Sequence, residues 1–228
     1  STQAKTLFPY TTLFRSFLNE YKKKETPIVM IDSNLPEIED VAYIGQDSYQ
    51  SGYLGGKLIS YGIKNESNVL ILKIIRNVES TSRTNVFLQR IKGFYAFFKE
   101  NTNLPKFNFT EISIKYDIEN QLTTNMFSGI DCVFVPNSRV YIVAEFLKEN
   151  NIKGIRVVGY ELLKQNLDYL NEGIIDFLIH QKPEEQGYLG ISHLYKKLVL
   201  KEDVENMIYM PLEILVKENY SYSQQIKL

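Results

Sequence analysis

The sequence predicts an α/β protein with parallel sheets, because apolar strand-like runs alternate with helical patterns almost throughout the chain. The clearest case begins with an apolar run at residues 131–135. It continues with a pattern at residues 140–150 that repeats at the spacing of an amphipathic helix, and it ends with a second apolar run at residues 157–160. Strand, helix and strand in this order form a βαβ unit, whose two strands are parallel.

Further strands are predicted where short apolar runs end in polar or turn-forming residues. The run at residues 68–74 is almost continuously apolar, which is typical of a strand buried on both faces of a parallel sheet. The other predicted strands are residues 26–32, 40–45, 110–114 and 174–179, together with an extended segment at residues 206–216.

Helices are predicted between these strands. Pro183 begins a long helix, since proline is tolerated in a first turn, and Gly173 ends another. Glycines in the helix at residues 51–61 each cost about 1 kcal/mol relative to alanine, which predicts close packing against a neighbour. In chain order, the predicted helices are residues 17–24, 51–61, 85–101, 120–127, 140–150, 162–172 and 183–200.

The composition is that of an ordinary globular protein and excludes several classes. The 228 residues are 44% apolar, which suffices for one large or two small cores. A net charge of −1 does not indicate nucleic-acid or membrane binding, and no run approaches the ~18 apolar residues of a transmembrane helix. The lone Cys132 lies in an apolar strand pattern as a core residue. With two histidines and no Cys/His cluster, we expect no metal and no cofactor.

Residues 1–16 show neither helical nor strand periodicity. They resemble a translated sequencing-adaptor sequence, and they lack the basic leader, apolar core and cleavage site of a signal peptide. We interpret them as a non-native leader and expect the native protein to continue upstream.

Polar side chains follow several predicted strands. Asn137 comes after the run at residues 131–135, and Glu161 after the run at residues 157–160. In open α/β sheets, ligands bind outside the carboxyl ends of the strands, so these two ends predict a binding site. The chain contains none of the G-x-S-x-G, G-x-x-x-x-G-K-[ST] or H-E-x-x-H motifs, and we expect no enzymatic activity.

Six short motifs follow one another in a familiar order. They lie at residues 27–32, 46–56, 90–94, 135–138, 158–161 and 177–181. Together they resemble the effector-binding region of LacI/GalR-type bacterial transcription regulators, which share a fold with periplasmic sugar-binding proteins. The segment at residues 210–219 resembles the closing motif of the regulators, which periplasmic transport proteins generally lack.

The resemblance implies a two-lobed periplasmic-binding-protein-like fold with parallel sheets, helices on both faces and a ligand cleft between the lobes. It assigns residues 17–66 and 182–203 to a first, incomplete lobe and residues 67–181 and 204–220 to a second, followed by a tail at 221–228.

The implied function is that of a cytoplasmic effector-sensing domain that binds a sugar or sugar derivative. Such a protein contacts DNA only through an N-terminal domain that precedes these residues, and it forms a homodimer. The helix at residues 50–60 is the predicted contact, because its glycines permit close approach. The alternative is a periplasmic sugar-binding protein of a transport system.

The resemblance also implies ligand contacts for Arg90, Glu161 and Gln181. The Arg90 guanidinium suits paired ligand oxygens, although an arginine in a helix is more often on a solvated face. Glu161 stands where the family usually has Asp, so its carboxylate reaches further; otherwise it is an exposed turn acid. Gln181 ends a strand at a crossover and otherwise serves as a hinge residue.

Asn137, Asp32 and Asp47 are the remaining predicted ligand contacts. Each has an ordinary structural alternative. Asn137 is a good helix N-cap, although Ser138, which replaces the family's usual Asp, favours that role itself. Asp32 and Asp47 fit turn and cap chemistry equally well.

Overall fold

The computed structural model describes residues 16–18, 20, 21, 23, 26–33, 41–75, 81–115 and 121–223, without the side chains of residues 81–84 and 223. The chain divides into two compact units. Unit 1 comprises Ser1–Gln46, Val78–Val86 and Lys182–Met210, and unit 2 comprises Asp47–Asn77, Phe87–Gln181 and Pro211–Leu228.

Strands and helices alternate along most of the described chain. In order they are β1 (Val29–Ile31), β2 (Ala42–Gly45), α1 (Ser48–Ser60), β3 (Ser67–Ile75), α2 (Thr81–Glu100), β4 (Phe107–Lys115), a 3₁₀ turn (Thr124–Phe127), β5 (Cys132–Phe134), α3 (Val140–Glu149), β6 (Arg156–Tyr160), α4 (Lys164–Asn171), β7 (Phe177–His180), α5 (Pro183–Tyr195), a π-helical turn (Lys196–Leu200), β8 (Met207–Tyr209), β9 (Glu213–Leu215) and α6 (Tyr220–Ser223).

Unit 1 contains a three-stranded parallel sheet in the order β1–β2–β8. Helix α5 packs on this sheet at Gly190, where a Cβ atom would lie 2.7 Å from Ile31 Cδ1. A glycine is therefore needed for the observed distance between helix and strand.

Unit 2 contains a six-stranded sheet in the order β4–β3–β5–β6–β7–β9. All neighbours are parallel except β9, which runs antiparallel to β7. The predicted α/β class with mainly parallel sheets and helices is confirmed. Because β4 and β5 lie on opposite sides of β3, the strand order reverses between β3 and β5, which is where open α/β sheets bind ligands.

The central strands of the unit 2 sheet are buried on both faces. Along β3, Leu70 and Leu72 belong to one apolar cluster, whereas Val69 and Ile71 belong to the other. Successive side chains of a strand point to opposite faces, so the continuous apolar run follows from this two-sided burial. The first cluster includes residues of α3 and α4, and the second includes residues of α1 and α2.

Helices α1 and α2 cross at backbone contact. A Cβ atom on Gly52 would lie 1.9 Å from the Arg90 carbonyl oxygen, and a Cβ atom on Gly93 would lie 1.9 Å from the Tyr49 carbonyl oxygen. At Gly55 an added Cβ atom would meet the ring of Phe134 at 2.6 Å. The predicted close packing of the α1 glycines therefore occurs within unit 2, and these glycines give no support to α1 as a dimer contact.

Two predicted elements differ from the structure. Residues 206–216 form two strands, β8 and β9, in different sheets rather than one extended segment. Pro211 lies between them and has no backbone N–H to donate to a continuing ladder. Among the described residues of the predicted helix at 120–127, only Thr124–Phe127 is helical, as a 3₁₀ turn.

The unit boundaries also differ from the predicted lobes. The first segment of the first lobe was predicted to extend to residue 66, whereas the first segment of unit 1 ends at Gln46, because α1 packs against α2 and Phe134. The second segment of that lobe was predicted to end at residue 203. Unit 1 continues to Met210, because β8 pairs with β2.

The prediction that Cys132 is a core residue is confirmed. Cys132 is fully buried in β5, and burial raises the pKa of its thiol to about 11. Within the described residues, no helix has the length and apolar character needed to cross a membrane.

Candidate functional site

Three of the predicted site residues lie just beyond adjacent strands of the unit 2 sheet. Asn137 follows β5, Glu161 follows β6 and Gln181 follows β7. Arg90 reaches the same region from α2. Its Nη1 donates to the Pro136 carbonyl oxygen at 3.0 Å, and its Nη2 donates to Gln181 Oε1 at 2.6 Å. Parallel strands in order bring these ends together, as the sequence predicted.

Arg90 is a buried cation, with only 4% of its surface exposed. Its guanidinium carbon lies 4.0 Å from the centroid of the Tyr160 ring, a cation–π contact that contributes about 2 kcal/mol when desolvated. Burial raises the pKa of the Tyr160 hydroxyl, although the nearby Arg90 charge opposes that rise. Arg90 Nε is buried and has no hydrogen-bond partner among the described residues. One charged N–H group of this site therefore has no acceptor within the described part of the chain.

Glu161 is connected to Arg90 through the side chain of Gln181. Gln181 Nε2 donates to Glu161 Oε1, and His180 Nδ1 lies 3.6 Å from Glu161 Oε2. We call Arg90, Gln181, Glu161 and His180 the polar network. It joins one permanent cation to one carboxylate through an amide, and all four side chains are buried or half-buried. His180 was not predicted as a site residue from the sequence. Its position at the end of a strand, next to Gln181, is the sequence feature that could have indicated it.

The backbone at Glu161 is in the left-handed region, with φ at 72°. A non-glycine residue in that region costs about 1–3 kcal/mol and persists only where its surroundings hold it. The Glu161 N–H donates to the Ile179 carbonyl oxygen at 3.1 Å, which fixes this turn to β7.

Asn137 bonds main-chain groups but does not cap α3, whose N-cap residue is Arg139 with no side-chain cap bond. Its Nδ2 donates to the Ile74 carbonyl oxygen at 2.7 Å, and its Oδ1 accepts from the Arg139 N–H at 3.0 Å. The side chain thus connects the ends of β3 and β5 where the strand order reverses. An amide can make further bonds through its second hydrogen and second lone pair, so ligand contact stays a prediction.

Asp32 belongs to unit 1, whereas Asp47 is the first residue of unit 2. Asp32 is exposed at the end of β1 in unit 1, with φ at 65°, and its carbonyl oxygen accepts from the Tyr43 hydroxyl at 3.2 Å. Asp47 is the N-cap of α1, where its Oδ1 accepts from the Gln50 N–H at 3.0 Å. Both positions show the turn and cap chemistry that the sequence left open.

Replacing Asp47 by alanine should lower the free energy of unfolding by about 0.5–2 kcal/mol, because the α1 N-terminus loses its side-chain acceptor. Asp47→Ser should retain most of that stability. Urea denaturation of the two variants checks the assignment; equal losses would contradict a capping role.

Asn166 is a site residue that the sequence analysis missed. It lies in α4, is completely buried, and bonds main-chain atoms of the segment that joins β5 to α3 and of the end of β6. The sequence does contain an indication of this role. Asn166 is a polar residue next to Leu167 and one turn before Leu170, on the apolar face of the helix. A buried polar residue requires partners, so its presence there indicated a hydrogen-bonding role.

A metal centre finds no support in the described part of the chain, where no three His, Cys, Asp or Glu residues are grouped so that they could hold an ion. The candidate site consists of side-chain donors and acceptors near the carboxyl ends of parallel strands.

A polar site at the carboxyl ends of the strands of an open α/β sheet is typical of proteins that bind small ligands. Comparison with family models shows which family of such proteins this chain matches. The model of the periplasmic binding protein domain matches residues 11–202. The chain belongs to this family. A comparison with curated proteins finds no match.

Solved structures agree with the family. A Bacteroides fragilis protein, provisionally designated a LacI transcriptional regulator, is 28% identical with a TM-score of 0.82, over 91% of this chain and 72% of that chain. An ABC-transporter periplasmic solute-binding protein from Actinobacillus succinogenes, with bound D-allose, is 23% identical with a TM-score of 0.72, over 90% and 74%. A carbohydrate-transporter solute-binding protein from Agrobacterium radiobacter, in complex with D-arabinose, is 22% identical with a TM-score of 0.70, over 90% and 71%. The latter two likenesses concern the fold alone.

Proposed function

We propose that this chain is the effector-sensing domain of a bacterial transcription regulator and that it binds a neutral sugar or sugar derivative. The observation that carries the binding proposal is the polar network of unit 2, in which a buried arginine keeps one N–H group without a partner among the described residues. The role is binding rather than catalysis.

The chemistry of the polar network favours a sugar. A sugar hydroxyl both donates and accepts, so it is bound well by planar groups that present paired donors or acceptors. Arg90 offers donors, Glu161 offers acceptors, and Gln181 offers both. One cation and one carboxylate balance each other, which favours a neutral ligand over an anionic one. The D-allose and D-arabinose bound by two structural neighbours are ligands of this chemical class.

Tyr160 does not serve as a stacking platform in this proposal. It is completely buried, with Arg90 over its ring and its hydroxyl 3.4 Å from Ser51 Oγ. Its contribution is to hold the guanidinium in place.

A regulator is favoured over a transport protein by two observations. The segment at residues 210–219 has the closing motif expected of regulators, and the Bacteroides fragilis neighbour has a TM-score of 0.82. In this proposal the protein is cytoplasmic and homodimeric, and it contacts DNA through a domain outside these 228 residues. The alternative is a periplasmic sugar-binding protein, since two of the neighbours belong to transporters.

A sugar panel tests the binding proposal. D-allose, D-arabinose, D-glucose and D-galactose are added to the protein in thermal unfolding, followed by calorimetric titration. At about 100 times its Kd, a sugar that binds only the folded state stabilises it by about 2.7 kcal/mol, so at least one sugar should raise Tm by several degrees. A panel in which no aldose shifts Tm and none gives heat of binding would contradict it.

The gene sequence upstream of Phe17 separates the two protein classes. A helix–turn–helix segment there is expected for the regulator. A signal peptide there would instead establish the transport alternative.

A further inference from the structure

Asn166 connects two turns that carry ligand-site residues. Its Nδ2 donates to the carbonyl oxygens of Ser138 at 2.9 Å, Tyr160 at 3.0 Å and Glu161 at 3.0 Å. Its Oδ1 accepts from the Tyr141 N–H at 3.0 Å. Ser138 lies in the turn after β5 and Tyr141 in the first turn of α3, whereas Tyr160 ends β6 and Glu161 follows it. One side chain thus holds both strand ends.

Only an amide suits this position. Three carbonyl oxygens converge on the nitrogen, and one N–H group points at the oxygen, so the side chain must both donate and accept within a buried space. A leucine of similar size would leave all of these main-chain groups without partners. An aspartate would keep the bond from Tyr141 but would place a further acceptor against three carbonyl oxygens.

We propose that Asn166 is a positioning residue for the sugar site: its buried amide holds the Glu161 turn in its left-handed conformation and fixes it relative to the turn that follows β5. This inference rests on the proposed function of the polar network. It adds a residue of α4 that orients the Glu161 carboxylate through the backbone.

The link from Asn166 to the polar network is short. Asn166 holds the Glu161 carbonyl oxygen, and the Glu161 carboxylate accepts from Gln181, which in turn accepts from Arg90. If the turn relaxes to an ordinary extended backbone, the direction of the Glu161 side chain changes. Gln181 and Arg90 then lose the geometry that binds the ligand.

The test compares wild type with Asn166→Asp. The probe is whichever sugar of the four-member panel gives the largest thermal shift with wild type, and affinity is measured by calorimetry. At about pH 7.5, the variant should bind about tenfold more weakly or worse, because it lacks the donor. At about pH 5.5, protonation of the introduced carboxyl restores one O–H donor, so the loss relative to wild type should become smaller. The two proteins are compared at the same pH, because His180 lies in the polar network of both.

Leu170→Ala is the matched control. Leu170 is completely buried in the same helix but touches the apolar core instead of the turns, so its truncation lowers stability without moving Glu161. Its affinity should stay within about twofold of wild type where all proteins are folded. An equal loss in both variants, or wild-type affinity in Asn166→Asp, would overturn the positioning role.

Amide hydrogen exchange separates this inference from the proposed function. In Asn166→Asp, exchange at residues 159–162 should be about tenfold faster or more, whether or not any sugar binds. If no sugar binds wild type, the proposed function fails and exchange alone decides the positioning role; unchanged exchange overturns it. If Asn166→Asp does not fold, Asn166→Ser, which is small enough to admit a water, replaces it. Faster exchange at residues 159–162 is again the expected result, and unchanged exchange again overturns the positioning role.

Discussion

Gly93→Ala is expected to lower the free energy of unfolding by about 3 kcal/mol or more, at the upper end of what overpacking costs. The added Cβ atom would lie 1.9 Å from the Tyr49 carbonyl oxygen and 2.9 Å from the Tyr53 nitrogen. These are backbone atoms of α1, which cannot rotate away as a side chain would. The two helices must separate, and Arg90, whose carbonyl oxygen lies against Gly52, must move with α2.

Chemical denaturation measures this effect, with Gly187→Ala as control. Gly187 also lies in a helix, but no atom lies within 4 Å of an added Cβ there. Its replacement should be neutral or should stabilise by about 0.4–1 kcal/mol, because alanine restricts the unfolded chain. A Gly93→Ala protein as stable as the Gly187→Ala protein would show that α1 and α2 do not cross at backbone contact.

Arg90→Ala is expected to weaken sugar binding about 100-fold or more. A hydrogen bond to a charged group contributes about 1.5–3 kcal/mol, and each 1.4 kcal/mol is tenfold in affinity. The substitution removes the unpaired Nε donor and also the donor to Gln181 Oε1. Calorimetric titration with the best sugar of the panel measures the loss.

Lys92→Ala is the control for charge. Lys92 is exposed on the same helix, so its replacement removes one positive charge without changing the polar network. Its affinity should match wild type. Equal affinities for Arg90→Ala, Lys92→Ala and wild type would place the sugar elsewhere on the protein.

Much of the fold could be predicted from local pattern. The continuous apolar run of β3 follows from burial of both its faces, and the amphipathic spacing of α3 follows from burial of one face; both are visible in single segments. The strand ends carrying Glu161 and Gln181 could be placed side by side, because consecutive parallel strands have their carboxyl ends at one edge. Arg90 was found only through its motif.

Other features depend on contacts between distant segments. The partners of Asn166 lie at residues 138, 141, 160 and 161, and nothing in α4 itself indicates that its amide faces their main chain. The glycines of α1 indicated a close neighbour but could not distinguish a helix of the same chain from a second copy. The unit boundary after Gln46 has the same cause, because α1 belongs to unit 2 only through its contacts with α2 and Phe134. The break at Pro211 was available in the sequence and was not used.

The most direct test of the account is the nitrogen-15 NMR signal of Arg90 Nε–H during titration with the best sugar of the panel. This group is buried and has no protein partner among the described residues, so a bound sugar oxygen should move its signal. The signal is assigned by its absence in Arg90→Lys, and the Nε–H of Arg156 in β6 serves as the reference. We expect the Arg90 signal to shift in proportion to the bound fraction while the Arg156 signal stays in place. A sugar that binds by calorimetry and leaves the Arg90 signal unmoved would contradict the central claim that the polar network is the ligand site.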